Sequence, residues 1–145
     1  MAVVLDLLSK ALLDTPVGHV EKTVSEILKK PVQFRVIEQH PISETKYIRK
    51  IVISSEQFPI ILATVKFDSK ILPKQIMSEL LLKKEGIGKI LYKHKIKVQR
   101  KMGNIEIAPD TKKITRDYEI VHDERIWFQI YEEIRLDHLS ACKNS

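Results

Sequence analysis

The sequence predicts a single α+β domain built on a largely antiparallel β-sheet. Three observations carry this. Apolar residues fall at helical spacing before residue 30 and alternate in most segments after it. The alternating segments follow one another through short connections, with one helix inserted among them. The 145 residues, 43% apolar and 30% charged, suit one globular core. The expected layout is N-terminal helices over 1–30, a sheet core over 32–134 and a tail over 138–145, all one domain.

Val3, Val4, Leu7, Leu8, Ala11 and Leu12 make one helical stripe, which Thr15-Pro16 stops. A second helix is expected over about 17–29, with Val20, Val24, Ile27 and Leu28 on one side, and Pro31 ends it. VQFRVIEQ (32–39) and KYIRKIVIS (46–54) read as strands around a turn at His40-Pro41. PIILATVKF (59–67) is apolar on both faces, as a central strand is. Residues 73–84 form the inserted helix, with Pro73 at its start and Ile76, Met77, Leu80 and Leu81 as its stripe. EGIGKILYKH then reads as a connection, 95–101 as a strand, and the chain through Gly103 and Pro109 as a loop. KITRDYEIV (113–121) and RIWFQIYEEI (125–134) close the fold as a hairpin.

The composition narrows the function. No apolar run reaches membrane-spanning length, and the amphipathic N-terminus lacks the features of a signal peptide. The single Cys142 leaves no disulfide framework, so a cytoplasmic location is expected. The five histidines show no metal-ligand spacing, so no metal is expected. The formal net charge is +6, with eight Lys or Arg against Glu85 alone between Lys83 and Lys101. Such a run is most often a solvated face. It also draws small anions inward. Nucleic acid is the least favoured partner, because aromatic residues in the run are few.

Charged residues on apolar strand faces are the strongest functional signal. Glu132 shares a face with Ile126, Phe128, Ile130 and Ile134, where an unpaired carboxylate costs several kcal/mol. In the partner strand, Arg116 shares a face with Ile114, Tyr118 and Ile120. Two registers match these faces. One, with a three-residue loop at Asp123–Arg125, sets Arg116 opposite Glu132; the other sets it diagonally. Arg100 lies in phase with Ile96 and Val98, and Arg49 with Tyr47, Ile51 and Ile53. Taken singly, an arginine near a strand end reaches water along its stem. Three arginines and one glutamate on one interior leave about two positive charges there, a site that wants a dianion. Gly86 and Gly88 let backbone come close to such an anion, although a helix C-cap accounts for Gly86 equally well. Trp127, Gln129 and Tyr131 lie on the opposite face, under helices or at a dimer contact, so the protein is expected to be a monomer or homodimer.

The order YIRKIVI, PIILATV, a leucine-rich helix, IGKILYKHKIKVQRK, TRDYEIV and IWFQIYEEI resembles the chorismate pyruvate-lyase family, most closely its short prokaryotic branch. The similarity spans about Val32 to Ile134. It implies a cofactor-free lyase that eliminates pyruvate from chorismate, a small dianion, to leave 4-hydroxybenzoate. It casts Arg49 as the anchor of the ring carboxylate, the Ile87–Gly88 backbone as its assistant, and Glu132 as the proton carrier beside the enolpyruvyl group, with Glu133 the lesser choice. An arginine of the better-known lyases is missing, since Ala63 or Thr64 stands in its place; Arg100, Arg116 or Lys66 would have to hold the second carboxylate. The turn also reads G-I-G rather than P-L-G. The alternative is a non-catalytic, effector-sensing module of the same fold, as found attached to some bacterial transcription regulators. The lack of an attached helix-turn-helix counts against a free-standing regulator.

Overall fold

The computed structural model describes residues 13–16, 18–108, 110 and 112–145, so the helix expected over 3–13 lies almost wholly outside the described residues. Among the described residues six antiparallel strands form one sheet: β1 (Gln33–Pro41), β2 (Lys46–Ser55), β3 (Phe58–Asp68), β4 (Gln99–Ala108), β5 (Lys113–His122) and β6 (Arg125–Arg135), in the order β1-β2-β3-β6-β5-β4. Among the described residues the helices are α1 (Val20–Leu28), α2 (Lys74–Leu81), α3 (Ile87–Lys93) and α4 (Leu136–Lys143). This is the α+β class read from the sequence.

The connection from β3 to β4 runs from the middle of the sheet to its far edge and carries α2 and α3. Ile76, Leu80, Ile87, Ile90 and Leu91 bury their side chains from these helices. Each such burial is worth about 1.5–3 kcal/mol. They join Ile51, Ile53, Ile61, Val65, Ile114, Ile120 and Ile134 from the sheet in one core, to which α1 adds Val24 and Leu28. The other sheet face carries Lys66, Gln129 and Tyr131 and is largely exposed, as one side of an antiparallel sheet can be.

Three sequence expectations need correction. The Gly86–Gly88 stretch is not a loop: Gly86 leads directly into helix α3, whose Ile87, Ile90 and Leu91 recur at i, i+3 and i+4. The strand expected over 95–101 begins at Gln99 and continues through Gly103, because Gly103 sits at a bulge rather than a loop. A Cβ there would lie 1.9 Å from Oδ1 of Asp117, which instead accepts a hydrogen bond from the Asn104 amide at 3.2 Å. The tail over 138–145 is mostly helix α4, with Leu139 and Cys142 buried. Lys30 fastens its end by donating from Nζ to the Cys142 carbonyl at 2.6 Å.

The final hairpin adopts the register that sets Arg116 directly opposite Glu132, but by a different route. The turn has two residues, Asp123 and Glu124, with φ of 49° and 64°. This is the positive-φ pair a tight hairpin of the twisted kind requires. A bulge then absorbs the odd residue, because Val121 pairs with Ile126 while Ile120 pairs with Phe128. The bulge turns Trp127 into the core against His122, and Ile126 outward. Glu124 carries a side chain in a left-handed conformation that glycine adopts freely. Glu124→Gly is expected to raise stability by about 0.5–1 kcal/mol, read from urea denaturation.

Candidate functional site

Strand register builds the site. Ile51, Ala63, Glu132 and Arg116 lie abreast on β2, β3, β6 and β5. The neighbouring row on the same face is Arg49, Val65, Ile130 and Tyr118. Arg49 and Glu132 are thus two strands and one row apart, about 12 Å between backbones, with β3 between them. At that point β3 presents the short side chain of Ala63. The result is a cavity of about 100 Å³ between the sheet and the segments around α1 and α3. Arg49, Ala63, Arg100, Tyr118, Glu132 and the Gly86–Lys89 stretch are among its lining residues, and most of the rest are isoleucine and valine.

Arg49 is 0% exposed. It donates from Nη1 to the Glu85 carbonyl at 2.9 Å, which ties β2 to the start of α3. Its Nε and Nη2 are buried without a hydrogen-bond partner among the described residues. An unpaired buried donor costs about 1–3 kcal/mol, and more when charged. Burial lowers the guanidinium pKa from its ordinary 12.5 to about 10, which leaves it charged at neutral pH. The Phe34 ring lies 5.9 Å from its central carbon.

Glu132 and Arg116, 6% and 3% exposed, form a closed pair. Arg116 Nε donates to Glu132 Oε1 at 2.6 Å, and the Tyr118 hydroxyl donates to Oε2 at 2.7 Å. Burial first, and then the Glu132 charge, push the Tyr118 hydroxyl well above its ordinary pKa, so it keeps the proton it donates. Arg116 also donates from Nη1 to the Leu13 carbonyl at 2.9 Å. Arg100 is only partly buried; its Nη2 reaches the same carbonyl at 3.4 Å and its central carbon lies 5.4 Å from the Tyr118 ring.

The structure therefore brings Arg49, Ile87, Gly88, Arg100 and Glu132 to one cavity, with Arg116 directly behind Glu132. Glu133 is on the other side of the strand, beside Lys113 at 3.3 Å. Lys66 and Thr64 also face away, into a separate surface groove. The basic run is partly neutralised: Lys93 pairs with Glu79 and Glu85, and Lys89 with Glu21 at 3.1 Å. Gly18 was not signalled by the sequence beyond being one of four glycines. Its φ is 94°, and a Cβ there would lie 2.9 Å from the Gly88 carbonyl oxygen. The segment before α1 thus packs on the first turn of α3 at the cavity lip. Gly18→Ala is expected to cost about 1–3 kcal/mol of stability, measured by urea denaturation.

Fold and cavity together define an α+β domain on a six-stranded antiparallel sheet with an arginine in its interior. No protein-family model matches the sequence. No curated protein matches it either. Among solved structures it is similar to the effector domain of PhnF from Mycobacterium smegmatis, with a TM-score of 0.58 at 8% identity, over 85% of this chain and 91% of that one. It is similar also to a GntR-family transcriptional regulator from Bacillus cereus (TM-score 0.49, 13% identity, 73% of this chain and 92% of that one). A third is the ligand-binding domain of a chain from Bordetella bronchiseptica assigned to the GntR regulators (0.48, 12%, 74% and 87%). The fold likeness rests on the first of these.

The neighbour at a TM-score of 0.58 corrects the lyase expectation: it is the effector domain of PhnF, not a lyase. The geometry gives a physical reason. The resemblance makes Glu132 a proton carrier, yet both of its oxygens already accept hydrogen bonds from Arg116 and Tyr118. Among the described residues no helix is long and apolar enough to cross a membrane.

Proposed function

We propose that this domain binds a small organic anion as an effector and performs no chemistry on it. One observation carries the reading: Arg49 is wholly buried at a cavity wall with two guanidinium nitrogens that have no hydrogen-bond partner among the described residues. A protein that buries a charge ordinarily pairs it. Here the missing partner is a carboxylate or similar group that takes Nε and Nη2 as a fork. Ile87 and Gly88 bound the anion from α3, and Arg100 stands at the cavity rim. Arg116 and Glu132 act through each other, as a fixed wall. The likeness to effector domains supports binding without turnover through fold alone.

Calorimetric titration with a panel of small carboxylates tests this. Saturable one-to-one binding by at least one of them is expected, weakened as pH rises through about 10, where Arg49 loses its charge. Chorismate incubated with the protein is expected to be recovered without release of pyruvate. Absence of any saturable binding across the panel would refute the reading.

A further inference from the structure

The charge count of the cavity changes once each group's partners are known. Three arginines against one glutamate suggest a surplus of two. Arg116 and Glu132, however, cancel as a buried pair at 2.6 Å. Lys89, at the cavity mouth, is paired with Glu21. Arg100 is partly exposed, reaches the Leu13 carbonyl and lies over the Tyr118 ring, so water and these partners screen its charge. Among the described residues, the uncompensated charge inside the low-dielectric cavity is that of Arg49.

We propose that the cavity selects a singly charged carboxylate on a small apolar body over a dianion, and that Ala63 makes the room this body occupies; the inference rests on the anion-binding reading above. With its carboxylate on the Arg49 fork, the ligand's body lies across β3, over Val65 and Ala63, toward Glu132. That floor offers no hydrogen-bond donor, and the surrounding wall is Ile51, Ile53, Ile61 and Ile130. A second carboxylate carried toward Glu132 meets a carboxylate whose neighbouring donors are already spent. It would be desolvated beside a like charge. Ala63 is small enough to leave room for the body. At about 100 Å³ the cavity is somewhat smaller than the ~150 Å³ that accommodates a benzene ring, so a branched alkyl body suits it best and a single ring is the upper limit.

The test is a set of matched titrations followed by protein-observed NMR at neutral pH. Benzoate is compared with isophthalate and benzamide, and isobutyrate with methylmalonate. Each monocarboxylate is expected to bind at least tenfold more tightly than its dicarboxylate, and benzoate at least tenfold more tightly than benzamide. A dicarboxylate that binds within tenfold of its partner, or more tightly, overturns the charge preference while leaving anion binding intact. Benzamide binding as well as benzoate, or no carboxylate binding at all, overturns both. Ala63→Val, which fills the floor, is expected to weaken benzoate more than isobutyrate. Thermal melting checks that this variant is folded, and equal losses for the two ligands would remove Ala63 from the proposal; the wild-type comparison decides the charge preference whether or not the variant folds.

Discussion

Arg49→Met is expected to abolish anion binding and, in the same step, to raise the melting temperature. Methionine fills similar length with no polar atom, so it fits the apolar surroundings of Ile51, Val65 and Phe34. The variant gives up one hydrogen bond, to the Glu85 carbonyl, and relieves two orphaned, charged donors. The balance favours the variant by about 1–3 kcal/mol, equivalent to a rise of about 3–10 °C for a chain of this size. Binding of a carboxylate, which loses its charge-assisted fork, is expected to weaken by about 100-fold or more. Opposite movement of stability and affinity separates a binding residue from a structural one. If Arg49→Met melted lower than wild type, its guanidinium would be supporting the fold.

The second large effect concerns Arg116 and Glu132. Among the described residues, Arg116→Met leaves the buried carboxylate the Tyr118 hydroxyl as its one hydrogen-bond donor, and Glu132→Leu leaves a buried guanidinium with the Leu13 carbonyl and the Tyr118 ring. Each single change is expected to cost about 3–5 kcal/mol. The double variant removes both charges together and is expected to recover most of that loss. Chemical denaturation of all four proteins gives the coupling energy directly. Additive losses would mean that the 2.6 Å contact is not an energetic unit.

Much of this site is visible in the residue order because a strand exposes alternate residues to one face. A single charged residue in an apolar phase is therefore conspicuous, and that rule picks out Arg49, Arg116 and Glu132, all of which are buried. It works less well for Arg100, which lies on the edge strand and is only partly covered. Pairing of Arg116 with Glu132 follows from matching apolar faces, although the bulge at Trp127 does not, because no glycine or other residue marks it there. Helices α3 and α4 were missed for another reason. They are short, and their stabilisation comes from docking Ile87, Ile90, Leu91, Leu139 and Cys142 rather than from intrinsic propensity. Gly103 marks a bulge rather than a break because the Asp117 carboxylate occupies the place of its side chain. What residue order does not reveal is occupancy: phase puts Glu132 in the interior, but only coordinates show that both its oxygens are engaged while Arg49 has two nitrogens to spare.

That asymmetry is open to one direct measurement. Arginine side-chain Nε–Hε resonances can be followed individually by ¹⁵N NMR and assigned through the Arg49→Met, Arg100→Gln and Arg116→Met variants. On addition of benzoate, the Arg49 Nε–Hε signal is expected to shift saturably downfield, as its proton gains an acceptor, while the Arg116 signal stays in place. A ligand that moves Arg116 or Arg100 and leaves Arg49 unchanged would contradict the claim that the buried, half-bonded guanidinium is the receptor.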